Sequence, residues 1–301
     1  MNCPLCESND INTIEKIDAK SLIKLYEKMT DIDFSYLIYQ DIEYCECQHC
    51  KLRYFNPLIT GDEQFYNSLQ KFDWYYMNEK DEYNEAKKYI KATDRVLEVG
   101  SGKGAFAKDL PTKDYVGLDF SLKAKEMAAE NGIFIENEMV QDYADKNLNK
   151  FDIVVSFQVL EHIPNPKSFL EAKLKALKIG GKMIIAVPSE DSFLKYVTNG
   201  ILNMPPHHVT RWSDDTLRYI ADEYNLELLA LQHEKVQKTH ELLYVSTSIE
   251  NSLLKPRLLD ISFLRKAISK LVSIYSKVLV KGVNKEISSN GHTVIAVYQK
   301  K

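Results

Sequence analysis

The sequence predicts an α/β fold in which a doubly wound seven-stranded sheet follows a small cysteine-rich lobe and carries a helical insertion before its last strand. Three observations support this architecture. Apolar strand-like runs alternate with helix-like stretches from residue 95 onward, a pattern typical of a parallel sheet with helices on both faces. All five cysteines fall within the first 50 residues. A basic amphipathic stretch separates the last two strand-like runs.

Composition is that of a globular protein able to bury a core, since 45% of the 301 residues are hydrophobic and 27% are charged. The formal net charge of -4 argues against a surface that binds nucleic acid throughout, although a local basic patch remains compatible with it. No apolar run reaches the roughly 18 residues of a membrane span, and the N-terminus lacks the pattern of a signal peptide. We therefore expect a cytoplasmic protein with reduced cysteines.

The lobe of residues 1–57 carries two C-x2-C pairs, Cys3/Cys6 and Cys47/Cys50. Each such turn lets two thiolates face one cation, and two turns complete a tetrahedral zinc site. With four protein ligands the ion has no open position, so the predicted role is structural.

The 40 residues between the two pairs must form a small structure of their own, and Leu22–Met29 is the helix predicted within it. Cys45 is a spare thiol and His49 a substitute ligand. Unmetallated cysteines and a redox role are the alternatives to zinc.

Residues 58–90 are rich in aromatic and acidic residues and predict a helical connector. Its aromatic cluster at 72–76 is interpreted as core or cap packing, with a substrate platform as the alternative.

The region 91–301 forms the main domain, with a helical insertion at about 234–291. Its predicted strands are Arg95–Val99, Tyr115–Leu118, Ile133–Ile135, Phe151–Ser156, Lys182–Val187, Leu226–Gln232 and Thr293–Tyr298. Its predicted helices are Ala105–Leu110, Leu122–Asn131, Pro166–Leu177 and Ser213–Tyr224, the last capped by Ser213.

A glycine-rich loop follows the first strand of this domain, where residues 98–104 read EVGSGKG. Glycines there permit a tight turn and let a ligand approach the backbone. Asp119 ends the second strand, where an acid can bind both hydroxyls of a ribose. The P-loop pattern G-x4-G-K-[ST] is absent, and the spacing differs from the dinucleotide pattern G-x-G-x-x-G. The loop and the acid together predict a nucleoside-containing cofactor.

At this loop the chain resembles the class I S-adenosylmethionine-dependent methyltransferases, whose first motif is E/D-x-G-x-G-x-G. The segment FDIVVS at 151–156, followed by VLEHIPNP at 159–166, resembles the fourth-strand block of that family. The segment LKIGGKMII at 177–185 resembles its L-x-x-G-G-x entry into the fifth strand. The blocks occur in the family's order over residues 93–233. The resemblance implies a Rossmann-like fold, S-adenosylmethionine as cofactor and methyl transfer as the activity.

The N-terminal lobe resembles the zinc-binding segment fused ahead of certain methyltransferases, on the pattern Cys47-x-x-Cys50, an aromatic stretch and Asn56-Pro57. That group includes sugar C-methyltransferases and enzymes of surface-polysaccharide or antibiotic pathways. The chain departs from the sugar C-methyltransferases in leaving no room for their further C-terminal domain. The expected acceptor is a small molecule, a sugar or related intermediate in free, nucleotide-linked or lipid-linked form, methylated on oxygen or carbon.

The resemblance implies roles for individual residues at the cofactor. Glu98 organises the loop and reaches the methionine amino group directly or through water, and Asp119 binds the ribose. Phe120 lies on the adenine face, with a core aromatic as the alternative, and the adenine edge is read around Met139–Asp142. The expected cofactor-binding residues are Glu98, Gly100, Ser101, Gly102, Gly104, Asp119, Phe120 and Gln158.

Methyl transfer depends chiefly on placing the acceptor in line with the sulfonium, and an oxygen or carbon acid also needs a base. His162 is the first candidate, because histidine titrates near neutrality and this one follows the fourth strand. A histidine bonded to backbone at a helix start is the alternative. His207 and His208 form the second candidate; as neighbours we expect them to point in different directions, so that one serves. We expect no metal site among them, since no acid stands at a suitable spacing.

The insertion contains the predicted basic amphipathic helix Ile261–Val280, and residues 251–301 hold ten Lys and Arg against two acids. One interpretation packs its apolar face on the sheet or on a second copy of the chain, with the lysines in solvent. The other places it on a membrane surface or over a lipid-linked or anionic substrate.

Two other functions remain compatible with the sequence. One is an RNA methyltransferase whose zinc lobe grips RNA, against which stand the acidic lobe and the absence of an N/D-P-P-Y/F motif. The other is a zinc-dependent interaction protein with an inactive fold, against which stand the intact glycine loop and Asp119.

Overall fold

A computed structural model describes residues 1–69, 81–282, 287 and 289–301. The aromatic cluster expected at 72–76 lies outside these residues. The strands are β1 (Ile11–Ile17), β2 (Ile42–Cys47), β3 (Arg53–Asn56), β4 (Val96–Val99), β5 (Tyr115–Leu118), β6 (Ile135–Glu136), β7 (Phe151–Phe157), β8 (Leu177–Pro188), β9 (Thr210–Arg211), β10 (Leu226–Lys235) and β11 (Asn290–Lys300). The α-helices are α1 (Ala19–Thr30), α2 (Glu63–Leu69), α3 (Asp81–Lys87), α4 (Leu122–Ala129), α5 (Val140–Lys146), α6 (Pro166–Ala176), α7 (Asp214–Glu223), α8 (Glu241–Leu253) and α9 (Phe263–Gly282).

The larger sheet confirms the predicted fold class. Its seven strands run in the order β10-β11-β8-β7-β4-β5-β6. The pairs from β8 to β6 are parallel, and β11 is antiparallel to both of its neighbours. The chain leaves β4 toward β5 on one side and later returns to β7 on the other. This reversal opens a crevice at the carboxyl ends of β4, β5 and β7, where ligands bind in such sheets.

Local sequence explains most of the elements around that crevice. β4, apart from its buried Glu98, and most of β7 are buried runs of apolar, largely β-branched residues. Ser121 caps α4, and the predicted cap Ser213 accepts a hydrogen bond from the Thr216 amide of α7. Asn165 caps α6, with Pro166 in its first turn.

The predicted helix Ala105–Leu110 is wrong, because the chain there forms only a 3-10 turn at Phe106–Asp109. Pro111 disfavours the helical conformation at Leu110, which is extended. Six residues between the glycine loop and that proline are too few for a stable α-helix.

The N-terminal lobe shares a sheet with the later chain. β1, β2 and β3 form an antiparallel sheet that the sequence did not predict, and α1 confirms the predicted helix Leu22–Met29. The fourth strand of this sheet is β9, from residues 210–211. Glu190 joins the two parts: its carboxylate lies 2.6 Å from both the Arg53 and the Arg211 guanidinium and accepts a hydrogen bond from Tyr44.

The insertion folds into α8 and α9, but the interpretation that packs the apolar face of α9 on the sheet is wrong, while packing on a second copy of the chain stays a prediction. The buried side of α9 holds Arg265, whose guanidinium pairs with Glu250 at 3.6 Å and Asp260 at 3.3 Å. Val272 is buried beside it, whereas most of the large apolar side chains of α9 are exposed: Phe263, Leu264, Leu271, Ile274, Tyr275 and Val278. Among the described residues, no helix has the length and apolarity to cross a membrane.

Candidate functional site

The glycine loop stands at the carboxyl end of β4 in a conformation that side chains disfavour. Gly100 has φ +77°, and a Cβ there would stand 2.3 Å from Val159 Cγ2. Gly102 has φ +51°, and a Cβ there would meet nothing within 4 Å. The first glycine thus lets the turn close against Val159, and the second presents bare backbone to open space, where a ligand can approach it.

Asp119 at the end of β5 binds this loop. Its Oδ2 accepts a hydrogen bond from the Gly102 amide at 2.7 Å, and its Oδ1 accepts one from the Ser121 amide at 2.8 Å. Burial raises the pKa of Asp119, and these two amides partly offset the rise. Each carboxylate oxygen keeps a further lone pair, so the same side chain can also accept hydroxyl donors.

Glu98 and Ser101 connect the glycine loop to β5 through hydrogen bonds. The buried Glu98 carboxylate accepts a 2.5 Å hydrogen bond from the Tyr115 hydroxyl, and burial beside this carboxylate raises the pKa of Tyr115 well above its usual range. Ser101 Oγ donates to the Leu118 carbonyl at 3.4 Å. Ser101 also borders the cleft, whereas Glu98 and Gly104 are not among the residues that line it. This arrangement fits the organising role expected of Glu98 better than direct cofactor contact.

A cleft of about 1510 Å³ runs from the glycine loop along the carboxyl edge of the sheet. Typical small-molecule sites have about 300–1,000 Å³, so this cleft has room for two ligands. Phe120 is 63% exposed and Met139 46% exposed where they border it. The core-aromatic alternative for Phe120 is therefore wrong, and its exposed ring offers an apolar face beside Asp119.

Gln158 lies in the cleft wall directly after β7, with φ +56° in the left-handed region that non-glycine residues rarely adopt. Its side-chain amide donates to Glu82 at 3.3 Å and to Thr293 at 3.2 Å. The residue is where the sequence predicted it, but its amide group is already engaged in bonds within the protein.

The structure brings together the three histidines that the sequence proposed separately. The ring centres of His162, His207 and His208 lie 4.5–4.8 Å apart, and all three line the cleft. The expectation that His207 and His208 point in different directions is wrong, because their rings stack at 23°. Both turn to the same side because they bond to consecutive residues, Leu202 and Asn203.

The Nδ1 atom of each histidine faces an oxygen that can only accept. His162 Nδ1 lies 2.6 Å from the His207 carbonyl, His207 Nδ1 lies 2.8 Å from the Leu202 carbonyl, and His208 Nδ1 lies 3.1 Å from Asn203 Oδ1. Each Nδ1 therefore carries a proton, and Nε2 is the nitrogen that each ring can offer to a ligand. Burial lowers the pKa of His207 to about 3 and that of His208 well below its usual value, so both rings are neutral. His162 thus lines the cleft and is also bonded to backbone, so it combines the two interpretations that the sequence offered for it.

Glu161 is the functional candidate that sequence reasoning missed. It is 1% exposed, and its Oε1 lies 3.8 Å from His162 Nε2 and 3.9 Å from His208 Nε2. The expectation that no acid accompanies these histidines is wrong, because the acid is the neighbour of His162 in the VLEHIPNP block. Adjacent residues rarely share a target in a helix or a strand, but here a 3-10 turn at Leu160–His162 allows it.

The four predicted metal-binding cysteines converge at the lobe. Cys3 and Cys50 have sulfurs 3.5 Å apart, as do Cys6 and Cys47, and all four sulfurs lie within 4.8 Å of one another. These separations are far longer than the roughly 2.05 Å of a disulfide and close to the ~3.8 Å between the sulfurs of tetrahedral zinc. The donor set therefore fits a zinc ion.

Neither of the spare ligands joins that cluster. Cys45 packs with Thr13 and Met1, and the His49 ring contacts the Tyr219 ring.

Comparison with known proteins gives one family. A family model described as "Methyltransferase domain" matches residues 74–231. A ubiquinone biosynthesis O-methyltransferase of Pectobacterium atrosepticum is 30% identical over 146 residues, 40% of this chain and 61% of that protein. An uncharacterized protein of Methanocaldococcus jannaschii is 36% identical over 124 residues, 40% of this chain and 58% of that protein. The chain thus spans about three fifths of the length of these curated relatives.

Solved structures share the fold. A SAM-dependent methyltransferase from Archaeoglobus fulgidus superposes with a TM-score of 0.53 at 16% identity, covering 78% of this chain and 100% of that one. A possible histamine N-methyltransferase from Thermotoga maritima gives a TM-score of 0.51 at 17% identity, covering 79% of this chain and 98% of that one.

Proposed function

The chain belongs to the methyltransferase family whose model matches more than half of its length, and from that premise we propose that it transfers the methyl group of S-adenosylmethionine to a small polar acceptor. The acceptor class we propose is a sugar or a related biosynthetic intermediate, methylated on oxygen or carbon. The observation that carries the proposal is the position of the glycine loop and Asp119 in the same cleft as three histidines.

The cofactor end has the chemistry that a sulfonium nucleoside requires. Asp119 accepts the ribose hydroxyls, the exposed ring of Phe120 covers one face of the adenine, and the bare backbone around Gly102 lies against the methionine part. When bound, the cofactor supplies an activated methyl group, so the main task of the protein is alignment.

The acceptor end favours a compact polar molecule. His162, His207 and His208 place imidazole nitrogens in the cleft wall, and hydroxyl groups are natural partners of such nitrogens. Removal of the acceptor proton is assigned to this cluster, with His162 foremost because it is the least buried of the three. The relative named for O-methylation in ubiquinone biosynthesis supports oxygen as the acceptor atom.

A zinc ion held by Cys3, Cys6, Cys47 and Cys50 is part of the proposal as a structural element. The four sulfurs leave no open coordination position, so this ion stabilises the lobe and takes no part in the reaction.

The test is calorimetric titration of the full chain with S-adenosylmethionine, with NAD as a matched nucleotide control, followed by a screen of labelled methyl transfer to nucleotide sugars, free sugars and phenols. We expect saturable binding of S-adenosylmethionine, none of NAD, and transfer to at least one hydroxylated small molecule. Absence of cofactor binding would favour an inactive interaction protein, and transfer to RNA alone would contradict the acceptor class.

A further inference from the structure

We propose that His162, His207, His208 and Glu161 form a second metal centre, which binds one divalent transition-metal ion such as Zn²⁺ inside the cleft. The site is separate from the cysteine cluster of the lobe. Its role toward the acceptor rests on the proposed function, but the binding of the ion does not.

The first argument is the convergence of the donors. One ligand atom from each of the three histidines lies within 4.8 Å of the others. Bonds of about 2.0–2.1 Å to a common ion bring such nitrogens to roughly 3.3 Å from one another, which small side-chain rotations of these rings would achieve.

The second argument is the orientation of the rings. Nδ1 of every ring faces a carbonyl oxygen, at 2.6 Å for His162, 2.8 Å for His207 and 3.1 Å for His208. Metal-binding histidines almost always donate their other ring N–H in this way, because the bond fixes the tautomer and aims the second nitrogen at the ion. Three such bonds, made by His162 of the 3-10 turn and by the loop of residues 202–208, indicate a built set of ligands.

The third argument is the carboxylate. Glu161 Oε1 lies 3.8 Å from His162 Nε2 and 3.9 Å from His208 Nε2, distances too long for direct hydrogen bonds. They suit ligand atoms that meet on one cation.

The donor set indicates the class of metal. Imidazole nitrogens with one carboxylate favour zinc and the neighbouring divalent transition metals over magnesium or calcium, which prefer oxygen. An ion held by the three histidines keeps a fourth position at the cleft wall, and an ion that also binds Glu161 takes an acceptor oxygen by expanding to five ligands.

Such an ion would assist methyl transfer in a defined way. With the ion bound, His162 is a ligand and no longer the base, and binding of an acceptor hydroxyl to the ion favours loss of the hydroxyl proton to water, because the positive charge stabilises the oxyanion. The oxygen then forms a bond to the methyl carbon, the carbon–sulfur bond breaks, and its electron pair remains on sulfur.

Metal content of the purified full chain after zinc saturation and desalting tests the proposal. We expect two zinc ions per chain for the wild type and one for His207→Gln and for His162→Gln. His162→Gln is included because His162 is less buried, so this variant is expected to fold even if His207→Gln does not. The matched control His233→Gln alters a histidine that pairs with Asp214 away from both clusters, and it should keep two ions.

Thermal unfolding and cofactor titration separate the possible outcomes. Added Zn²⁺ should raise the Tm of the wild type and of His233→Gln, but not that of folded His162→Gln, while the affinity for S-adenosylmethionine should stay within about threefold in all of them. One zinc ion in the wild type, or two in folded His162→Gln, would overturn the metal centre. Loss of cofactor binding in the wild type would instead overturn the proposed function and leave the metal result standing.

Discussion

Asp119 combines two functions in one carboxylate, since it holds the glycine loop through Gly102 and remains able to accept ribose hydroxyls. We expect Asp119→Ala to weaken S-adenosylmethionine binding by about 1–3 kcal/mol, the cost of losing charge-assisted hydrogen bonds. Asp119→Asn should have a smaller effect, because an amide oxygen can still accept from the Gly102 amide. Calorimetry measures both variants, with Asp222→Ala on the exposed side of α7 as control. An unchanged affinity of Asp119→Ala would remove this residue from the cofactor site.

Glu234 gives a prediction about pH. Burial, with Glu82 nearby, raises the pKa of Glu234 to about 7 from its usual 4.5. Between pH 4.5 and about pH 7, Glu234 is protonated more often in the folded chain than in the unfolded chain. The contribution of Glu234 to the free energy of unfolding therefore falls as the pH rises through this window. Glu234→Gln should therefore flatten the decline and be more stable than the wild type at pH 8 by about 1–3 kcal/mol.

Urea unfolding between pH 5 and pH 8 measures this effect. Glu227→Gln, on the exposed face of the same strand, is the control and should follow the wild type. Parallel stability curves for Glu234→Gln and the wild type would contradict the prediction.

Individual site residues can be predicted from the sequence when their role depends on the residues next to them in the chain. The glycine loop and Asp119 are recognisable because their function depends on local backbone geometry and on position at a strand end. The acid at the histidine cluster was missed because Glu161 and His208 are 47 positions apart and meet only through the fold. The sequence alone does not decide whether the Phe120 ring is exposed beside the cofactor or buried in the core, because its exposure depends on how the rest of the chain packs around it.

Among the elements, the lobe depends on its cysteines because β1 to β3 form a small sheet with four sulfurs at one end. Cys47→Ser should release one zinc ion per chain and lower the Tm of the protein, since a structural ion contributes its binding free energy to folding. Cys45→Ser is the matched control, because Cys45 is also buried on β2 but lies outside the cluster. Zinc analysis and thermal unfolding measure both variants. Full zinc content in Cys47→Ser would mean that other residues hold the ion.

Helices and strands are predictable from sequence when nearby residues determine them, and are not when they depend on residues far away in the chain. Helices with a cap in the sequence, such as α6 and α7, were placed within one or two residues. The two-residue strand β9 was not predicted, because its pairing with β3 joins positions about 157 apart and leaves no periodic signal. The sequence predicts an α-helix where the chain forms only the 3-10 turn Phe106–Asp109. Apolar spacing favours a helix there, but it does not take into account that only six residues separate the glycine loop from Pro111.

For the molecule as a whole, the order of the sequence motifs predicted the sheet, since alternating strands and helices permit few topologies. The orientation of α9 was not predictable, because helical periodicity shows two faces without showing which one is buried. Arg265 decides it through its ion pairs with Glu250 and Asp260, which turn the apolar face outward.

The exposed face of α9 leads to the last prediction. Phe263, Leu271 and Val278 are 87%, 68% and 67% exposed, and the exposed side chains of Lys266, Lys270 and Lys277 stand beside them. A helix with an apolar face flanked by lysines is typical of segments that lie in the interface of an anionic bilayer. Each lysine near such a surface contributes about 1 kcal/mol, and salt screens that attraction.

We therefore expect the full chain to bind vesicles containing phosphatidylserine at least tenfold more tightly than vesicles of phosphatidylcholine alone, with affinity falling as salt rises. Leu271→Ser together with Val278→Ser should abolish most of the binding, whereas Leu148→Ser, at an exposed apolar position outside the insertion, should not. Vesicle sedimentation measures binding, and analytical ultracentrifugation of the same samples measures oligomeric state. A dimer that the double variant dissociates, without vesicle binding by the wild type, would show instead that this face contacts a second copy of the chain, because burial against another apolar helix satisfies the same surface.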